Sequence, residues 1–296
     1  MSNRVALSLA PRDTEACLSA LRRHASSVGL AEVRLDRMET FDLPRLVKES
    51  PCRLVVTCRP PREGGGFDGS EAERLDTLAH AWRLGCAYVD VEWDSLEALR
   101  AKLGDGRRLI ASRHWACGMP ASLLPAYEEL CGRAEAVKLV GAAASAADVL
   151  PVLELLRRAR GPVVALAMGA AGSPTRLLAP CFENCLLTYA ALSPEEATAP
   201  GQFAVSEMLE VYGLQSVGPH TAVHVHLCAD ASGCGAVARG NAGARGESLH
   251  VPVVVNAAEA GAFARGLKSC MPGVRLTADA GLGASVEDLL GEASFA

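Results

Sequence analysis

Leu109-Ile-Ala-Ser-Arg-His114 and Ala136-Val-Lys-Leu-Val140 are apolar runs of strand length, separated by residues 115–135. Read as neighbouring parallel strands, they bring His114 and Lys138 to the same end of a sheet. A lysine and a histidine so placed can share one small substrate. The amine can attack a ketone to form an imine, and the imidazole can move a proton beside it.

Outward from this pair, strand-like runs recur at 5–10, 31–36, 54–59, 88–93, 162–168 and 186–191, with the pair itself at 109–114 and 136–141. Helix-period stretches lie between and after them, at 14–26, 71–84, 95–103, 145–159 and 203–212. Eight strands alternating with helices predict an α/β fold in which a parallel sheet closes into a (β/α)8 TIM barrel. An open doubly wound sheet is the competitor. It usually carries a glycine-rich first turn, and Leu9-Ala10-Pro11-Arg12-Asp13 is not one. The barrel is the better reading. It sets Arg34, Asp36, Arg59, Glu92, His114, Lys138 and Met168 at or near the C-terminal strand ends, the rim that carries chemistry in such barrels.

The chain's 296 residues suffice for one large α/β domain with a small addition. Half are hydrophobic and 21% charged, with a formal net charge of −5. That balance argues against a nucleic-acid or anionic-membrane partner, either of which favours a basic face. No apolar run reaches the ~18 residues of a membrane span. The opening Met-Ser-Asn-Arg-Val-Ala-Leu-Ser-Leu-Ala reads as a first strand, not a signal peptide. Eleven cysteines, scattered and without a Cys-x-x-Cys, read as free thiols in a reducing compartment.

Each candidate side chain has an ordinary reading beside the chemical one. Lys138 could snorkel to solvent. Its aliphatic neighbours instead suggest burial, which would lower its pKa and leave the neutral amine that imine chemistry requires. His114 could be a satisfied core histidine. Arg59-Pro-Pro-Arg-Glu63-Gly-Gly-Gly66 could be a solvated loop, or a turn whose glycines approach a ligand while Glu63 orients the histidine. Thr198-Ala-Pro-Gly-Gln202 marks a turn whose hydroxyl and carboxamide could bind a polar substrate. His224, His226 and Cys228 share a strand face, but three ligands without a fourth make a weak metal motif.

Taken in order, these segments resemble type I 3-dehydroquinate dehydratase, most of all the form fused to shikimate dehydrogenase in plants. The resemblance covers residues 5–212. It is carried by Glu32-Val-Arg34-Leu-Asp36, Arg59 through Gly65, Asp68-Gly-Ser, Tyr88-Val-Asp-Val-Glu92, Ser112-Arg-His114, Val137-Lys138, Met168-Gly169, Thr175-Arg176-Leu177 and Ala199-Pro-Gly-Gln202. It implies conversion of 3-dehydroquinate to 3-dehydroshikimate by Schiff-base-assisted syn elimination, with no metal and no cofactor. Lys138 would form the imine, His114 would act as acid and base, and Glu63 would hold the histidine. Glu32, Arg34 and Arg59 would grip ring hydroxyls and Arg176 the carboxylate. Thr198 and Gln202 would close over the substrate, with Ser8 as a further contact. The chain departs from the family at Thr198, where serine is usual, at Cys181-Phe-Glu-Asn-Cys185 before the eighth strand, and at Ser193-Pro-Glu-Glu196 after it. Two other readings stay open: a Schiff-base aldolase-type lyase with another substrate, and a decayed binding or regulatory module. A homodimer is also left open. The compartment would be cytoplasmic, or a plastid if a transit peptide preceded the chain.

Composition turns Gly- and Ala-rich past Leu214. Residues 1–214 are expected to form the barrel and 215–296 a small α/β appendage. The latter resembles the opening of a shikimate dehydrogenase substrate domain, with Gly218-Pro-His-Thr-Ala-Val223, Asn241 and His250-Val-Pro-Val-Val-Val255 in order. Cys234-Gly-Ala236 stands where the resemblance calls for Ser-x-Ser, and Gly281 where it calls for lysine after Thr277. No dehydrogenase activity is expected of it.

Overall fold

Strands with both faces buried alternate with helices that cover them, as a parallel sheet requires. The computed structural model describes residues 3–104, 107–232, 237, 241 and 248–291. Eight strands make one parallel sheet in the order β7-β6-β5-β4-β3-β2-β1-β8. They are β1 Val5–Leu9, β2 Leu30–Arg34, β3 Arg53–Thr57, β4 Tyr88–Glu92, β5 Leu109–Trp115, β6 Ala136–Ala142, β7 Val163–Met168 and β8 Thr188–Ala190. The barrel seam lies between β7 and the three-residue β8. It is bridged by Val163 N to Asn184 O (2.9 Å) and Leu186 N to Val163 O (2.8 Å). Thus the altered Cys181–Cys185 segment contributes to closing the barrel.

The helices are α1 Thr14–His24, α2 Leu43–Glu49, α3 Glu71–Leu84, α4 Leu96–Leu103, α5 Leu124–Leu130, α6 Leu150–Arg158 and α7 Pro174–Leu178. Their starts are written in the sequence. Asp13 caps α1 by accepting from Ala16 N, and Ser70 with Glu73 forms a capping box on α3. The stretch at 145–159 divides into a 3-10 turn, Ala146–Val149, and then α6, because Pro151 fits the first turn of an α-helix and not its interior. The stretch at 203–212 is not α-helical throughout. Glu207–Val211 is a π-helical turn.

Past the barrel, β9 Ala222–Cys228, β10 Ser248–Val254 and β11 Arg275–Ala278 form a separate parallel sheet in the order β10-β9-β11. The helices α8 Ala257–Cys270 and α9 Val286–Leu290 accompany it. The appendage is therefore folded where it is described, and α8 packs against α6. Cys234 and Ala236 lie outside the described residues. His224 and His226 face His250 of β10, with ring centroids 4.5 and 5.1 Å apart. His226 Nε2 lies 2.8 Å from His250 Nδ1, and His226 Nδ1 lies 2.7 Å from Thr277 Oγ1. Among the described residues, no group of three or more His, Cys, Asp or Glu is placed to hold a metal ion. Nor is any described helix long and apolar enough to cross a membrane.

Candidate active site

Alternate residues of a strand face the barrel axis, and the parallel register stacks those of neighbouring strands. Ser8 pairs with Glu32, Arg34 with Thr57, Thr57 with Asp90, Glu92 with Ser112, and Ser112 with Lys138. Polar side chains thereby meet in layers inside an apolar wall. Above them opens a cavity of about 160 Å³, lined by Glu32, Arg34, Arg59, Glu63, His114, Lys138, Arg176, Thr198 and Gln202 among others. Of the residues expected at the site, only Ser8 is off this lining. It lies fully buried beneath the wall, 2.7 Å from both Glu32 Oε2 and Thr198 Oγ1.

Lys138 is 5% exposed, and its Nζ lies 2.8 Å from Asp90 Oδ2 and 3.1 Å from Glu32 Oε1. The burial expected from sequence is present, but the expected neutral amine is not. Burial by itself lowers the lysine's pKa; the charges of Asp90 and Glu32 outweigh it, and the net shift is upward. The free protein holds an ammonium. Reciprocally, burial raises Asp90, but Arg59 and Lys138 bring its carboxyl far below the usual range.

Arg59 is nearly spent on the same network. Its Nη1 donates to Glu92 Oε1 and Ser112 Oγ, both at 2.7 Å, and its Nη2 lies 2.8 Å from Asp90 Oδ1. Arg74, fully buried on α3, pairs with the other oxygen of Glu92 and donates to Cys58 O. Arg34 grips Asp36 through two hydrogen bonds, Nε at 2.9 Å and Nη2 at 2.7 Å. Asp36 in turn accepts from Gly66 N at 3.0 Å, which ties down the glycine turn. Gly65 has no alternative there, since a Cβ would sit 1.9 Å from Arg59 O.

His114 Nδ1 lies 2.8 Å from Glu63 Oε2. Burial, then the charges of Arg59 and Lys138, hold the imidazole well below its ordinary pKa. A neutral ring whose Nδ1–H donates to Glu63 keeps Nε2 as the basic nitrogen. Burial pushes the Glu63 carboxyl up to about 7, against the pull of Arg59.

Arg176 is a cation of the cavity lining with no ion pair among the described residues. It is 2% exposed, with Nη2 donating to Pro200 O at 3.2 Å and Nε without a partner. Burial lowers it to about 10. Short α7 is anchored around it: Thr175 Oγ1 accepts from Ala167 N at 3.0 Å, and Thr188 Oγ1 donates to Arg176 O at 2.9 Å. Opposite, Thr198 N donates to Gln202 Oε1 at 2.8 Å, and the turn is fastened to the end of β7 by Gly169 N donating to Pro200 O at 3.1 Å. Gly201 (φ +75°) is required where this turn touches, since a Cβ would meet Gly169 O at 2.3 Å.

The family description Type I 3-dehydroquinase matches residues 5–219. The chain belongs to the type I 3-dehydroquinase family. It is thus a hydro-lyase of the 3-dehydroquinate dehydratase type. It is 31% identical over 219 residues to the chloroplastic bifunctional 3-dehydroquinate dehydratase/shikimate dehydrogenase of Arabidopsis thaliana, covering 69% of this chain but only 35% of that protein. Against the 3-dehydroquinate dehydratase of Desulfotalea psychrophila the identity is 35% over 223 residues, covering 71% of this chain and 97% of the relative. Two solved structures share the fold. The 3-dehydroquinate dehydratase of Geobacillus kaustophilus superposes with a TM-score of 0.60 at 23% identity, over 72% of this chain and 93% of its own. The dehydroquinate dehydratase and shikimate dehydrogenase from S. pombe AroM does so with 0.59 at 20% identity, over 94% of this chain and 57% of its own. That second likeness extends into the appendage.

Sequence reasoning assigned no role to Asp90, Tyr189, Ser112 or Arg74. For the strand residues a signal was present: Asp90 and Ser112 fall on the parity of Lys138 and His114 once the register is known. Arg74 offered none, since an arginine in an α3 pattern reads as a solvated helix face.

Proposed function

We infer that the barrel dehydrates 3-dehydroquinate to 3-dehydroshikimate, with the residues of the 160 Å³ cavity in the following roles. Lys138 passes one ammonium proton to Asp90 or Glu32, then attacks the C3 ketone to form an imine. The imine acidifies the C2 hydrogens by giving the carbanion an electron sink. His114 Nε2 takes one C2 proton and returns it to the departing C1 hydroxyl, while Glu63 fixes the ring. Arg176 binds the substrate carboxylate, and Glu32, Arg34, Thr198 and Gln202 contact ring hydroxyls. Arg59 contributes by fixing Asp90 and Glu92, and Ser8 by fixing Glu32 and Thr198. The observation that carries this reading is a buried lysine and a polarised histidine on one small cavity that also holds an arginine without a counter-charge. No metal or cofactor enters the steps.

The substrate is a single small molecule. The cysteines of residues 3–214 are free thiols, in keeping with a reducing compartment, the cytoplasm or a plastid. Residues 1–214 would be the catalytic unit. Residues 215–296 would be a remnant of a shikimate dehydrogenase substrate domain without activity; purified chain should show no NADP-dependent shikimate oxidation. The deciding experiment is incubation with 3-dehydroquinate and borohydride, followed by mass spectrometry. An adduct on Lys138 is expected. Product formation with no trapped lysine would overturn the Schiff-base route.

A further inference from the structure

Arg74 is a fully buried charge that is not on the cavity lining. It sits in the first turn of α3, beside the core residues Leu75 and Leu78. An apolar side chain there would pack without the cost of desolvating a guanidinium. The charge thus has a use that packing does not supply.

Its partners show what that use is. Nη1 pairs with Glu92 and donates to Cys58 O at 3.0 Å, while Nε and Nη2 donate to the two oxygens of Glu71 at 2.9 and 2.6 Å. Each carboxylate leads to the turn that carries Glu63. Glu92 accepts from Arg59 Nη1 at 2.7 Å, and that nitrogen is 3.9 Å from Glu63 Oε2. Glu71 accepts from Ser95 Oγ at 2.6 Å, and Ser95 Oγ accepts at 2.9 Å from Nη2 of Arg62, the residue before Glu63. Arg62 is also locked to Asp94 by hydrogen bonds at 2.9 and 2.8 Å. One guanidinium therefore ties the end of β4 and the start of α4 to the turn between β3 and α3.

We propose that Arg74 is a positioning residue for the reaction: by joining Glu92 to Glu71 it holds Glu63, and through Glu63 the ring of His114, in line for proton transfer at C2. The inference rests on the Schiff-base reading above. Burial pushes the Glu92 carboxyl up, against the pull of Arg59 and Arg74. Without Arg74 that carboxyl takes a proton more readily and loosens its hold on Arg59, whose Nη1 then turns toward Glu63. Without the fork on Glu71, the Arg62 side of the turn is freed as well. Glu63 Oε2 is 2.8 Å from His114 Nδ1, so a shift of its turn re-aims the imidazole. Lys138 is better insulated. Asp90 and Glu32 both hold it, and Asp90 also accepts from Ser112 Oγ at 2.6 Å.

The test is a single turnover of 3-dehydroquinate, quenched with borohydride at intervals and read by mass spectrometry, in wild type and Arg74→Met, with KM measured in parallel. The Lys138 adduct appears first at the mass of the substrate imine and later one water lighter. Absence of any adduct in wild type would sink the Schiff-base reading itself. With the wild-type adduct present, Arg74→Met should form it within about twofold of the wild-type rate but lose water from it about 10- to 10²-fold more slowly, the order expected when a reacting group is misplaced by about 1 Å. Its KM should be little changed. A merely structural role lowers the folded fraction and so scales both steps alike. Equal slowing of the two steps, or water loss at the wild-type rate, would overturn the proposal. Glu71→Gln, at a partly exposed position, carries the same test should Arg74→Met fail to fold. It weakens the fork and should slow water loss selectively, to a smaller degree; no selective slowing there would count against the tie.

Discussion

The barrel interior and the face of the small appended sheet both concentrate polar groups on parallel strands, yet they resolve them differently. In the barrel, Lys138, Arg59 and Arg74 interlock with Glu32, Asp90 and Glu92, and nearly every charge is matched. The exceptions face the cavity: Arg176 lacks a counter-charge, and Glu63 and His114 are perturbed in opposite directions. On the appendage, His226 hydrogen-bonds His250 and Thr277 while His224 stacks on His250, at a half-exposed surface. Burial, then the charge of His250, lowers the pKa of both His224 and His226. A catalytic interior keeps selected groups unsatisfied at high cost, whereas a face without a ligand relaxes into internal hydrogen bonds.

The largest effect is expected at the point where the barrel's charges converge. Lys138→Met should lower kcat by about 10³-fold or more and abolish the borohydride adduct. It also leaves Asp90 and Glu32 buried beside no ammonium, a cost of about 3 kcal/mol that denaturant titration would register. Arg176→Lys keeps a cation but loses the planar fork. KM should rise about tenfold with kcat less affected, and an unchanged KM would remove the carboxylate-binding role.

Asp90→Asn probes charge balance through pH. Asp90 is depressed in the fold, so its contribution to stability is present above ~4 and lost as pH falls through its folded value. Lys138 is raised, so its contribution is full below ~10.4 and lost as pH rises through its folded value. Without the carboxylate, burial and Arg59 act on the lysine opposed mainly by Glu32, and its pKa must drop. The pH profile for reductive alkylation of Lys138 should therefore move to lower pH. The smallest effect belongs to the appendage. His226→Ala should leave dehydratase kcat and KM unchanged and alter stability by no more than about 1 kcal/mol. A loss of dehydratase activity there would show that the two regions are coupled and break the contrast.

Much of this was legible in the linear chain. All eight barrel strands were placed within a few residues, because buried parallel strands read as short apolar runs bounded by turns and caps. The rim residues were legible because a barrel sends strand C-termini to one face. The charge state of Lys138 was not. Aliphatic neighbours in sequence signal burial, but the carboxylates that override burial sit on β2 and β4, far away along the chain. Ser8, expected as a contact, is fully buried against Glu32 and Thr198, a matter of depth that periodicity does not encode.

Local chemistry along the chain determined its alternation of strand and helix, the caps, the glycine turn at 64–66 and the rim on which the ionisable groups stand, since these depend on near neighbours and on side-chain period. Only the tertiary structure decided which charges neutralise which, that Arg176 keeps an unpartnered Nε among the described residues, and that the lysine nitrogen donates to a tyrosine hydroxyl. Electrostatic energies inside a low-dielectric wall depend on distances of a few ångströms between strands, and the order of residues does not state those distances.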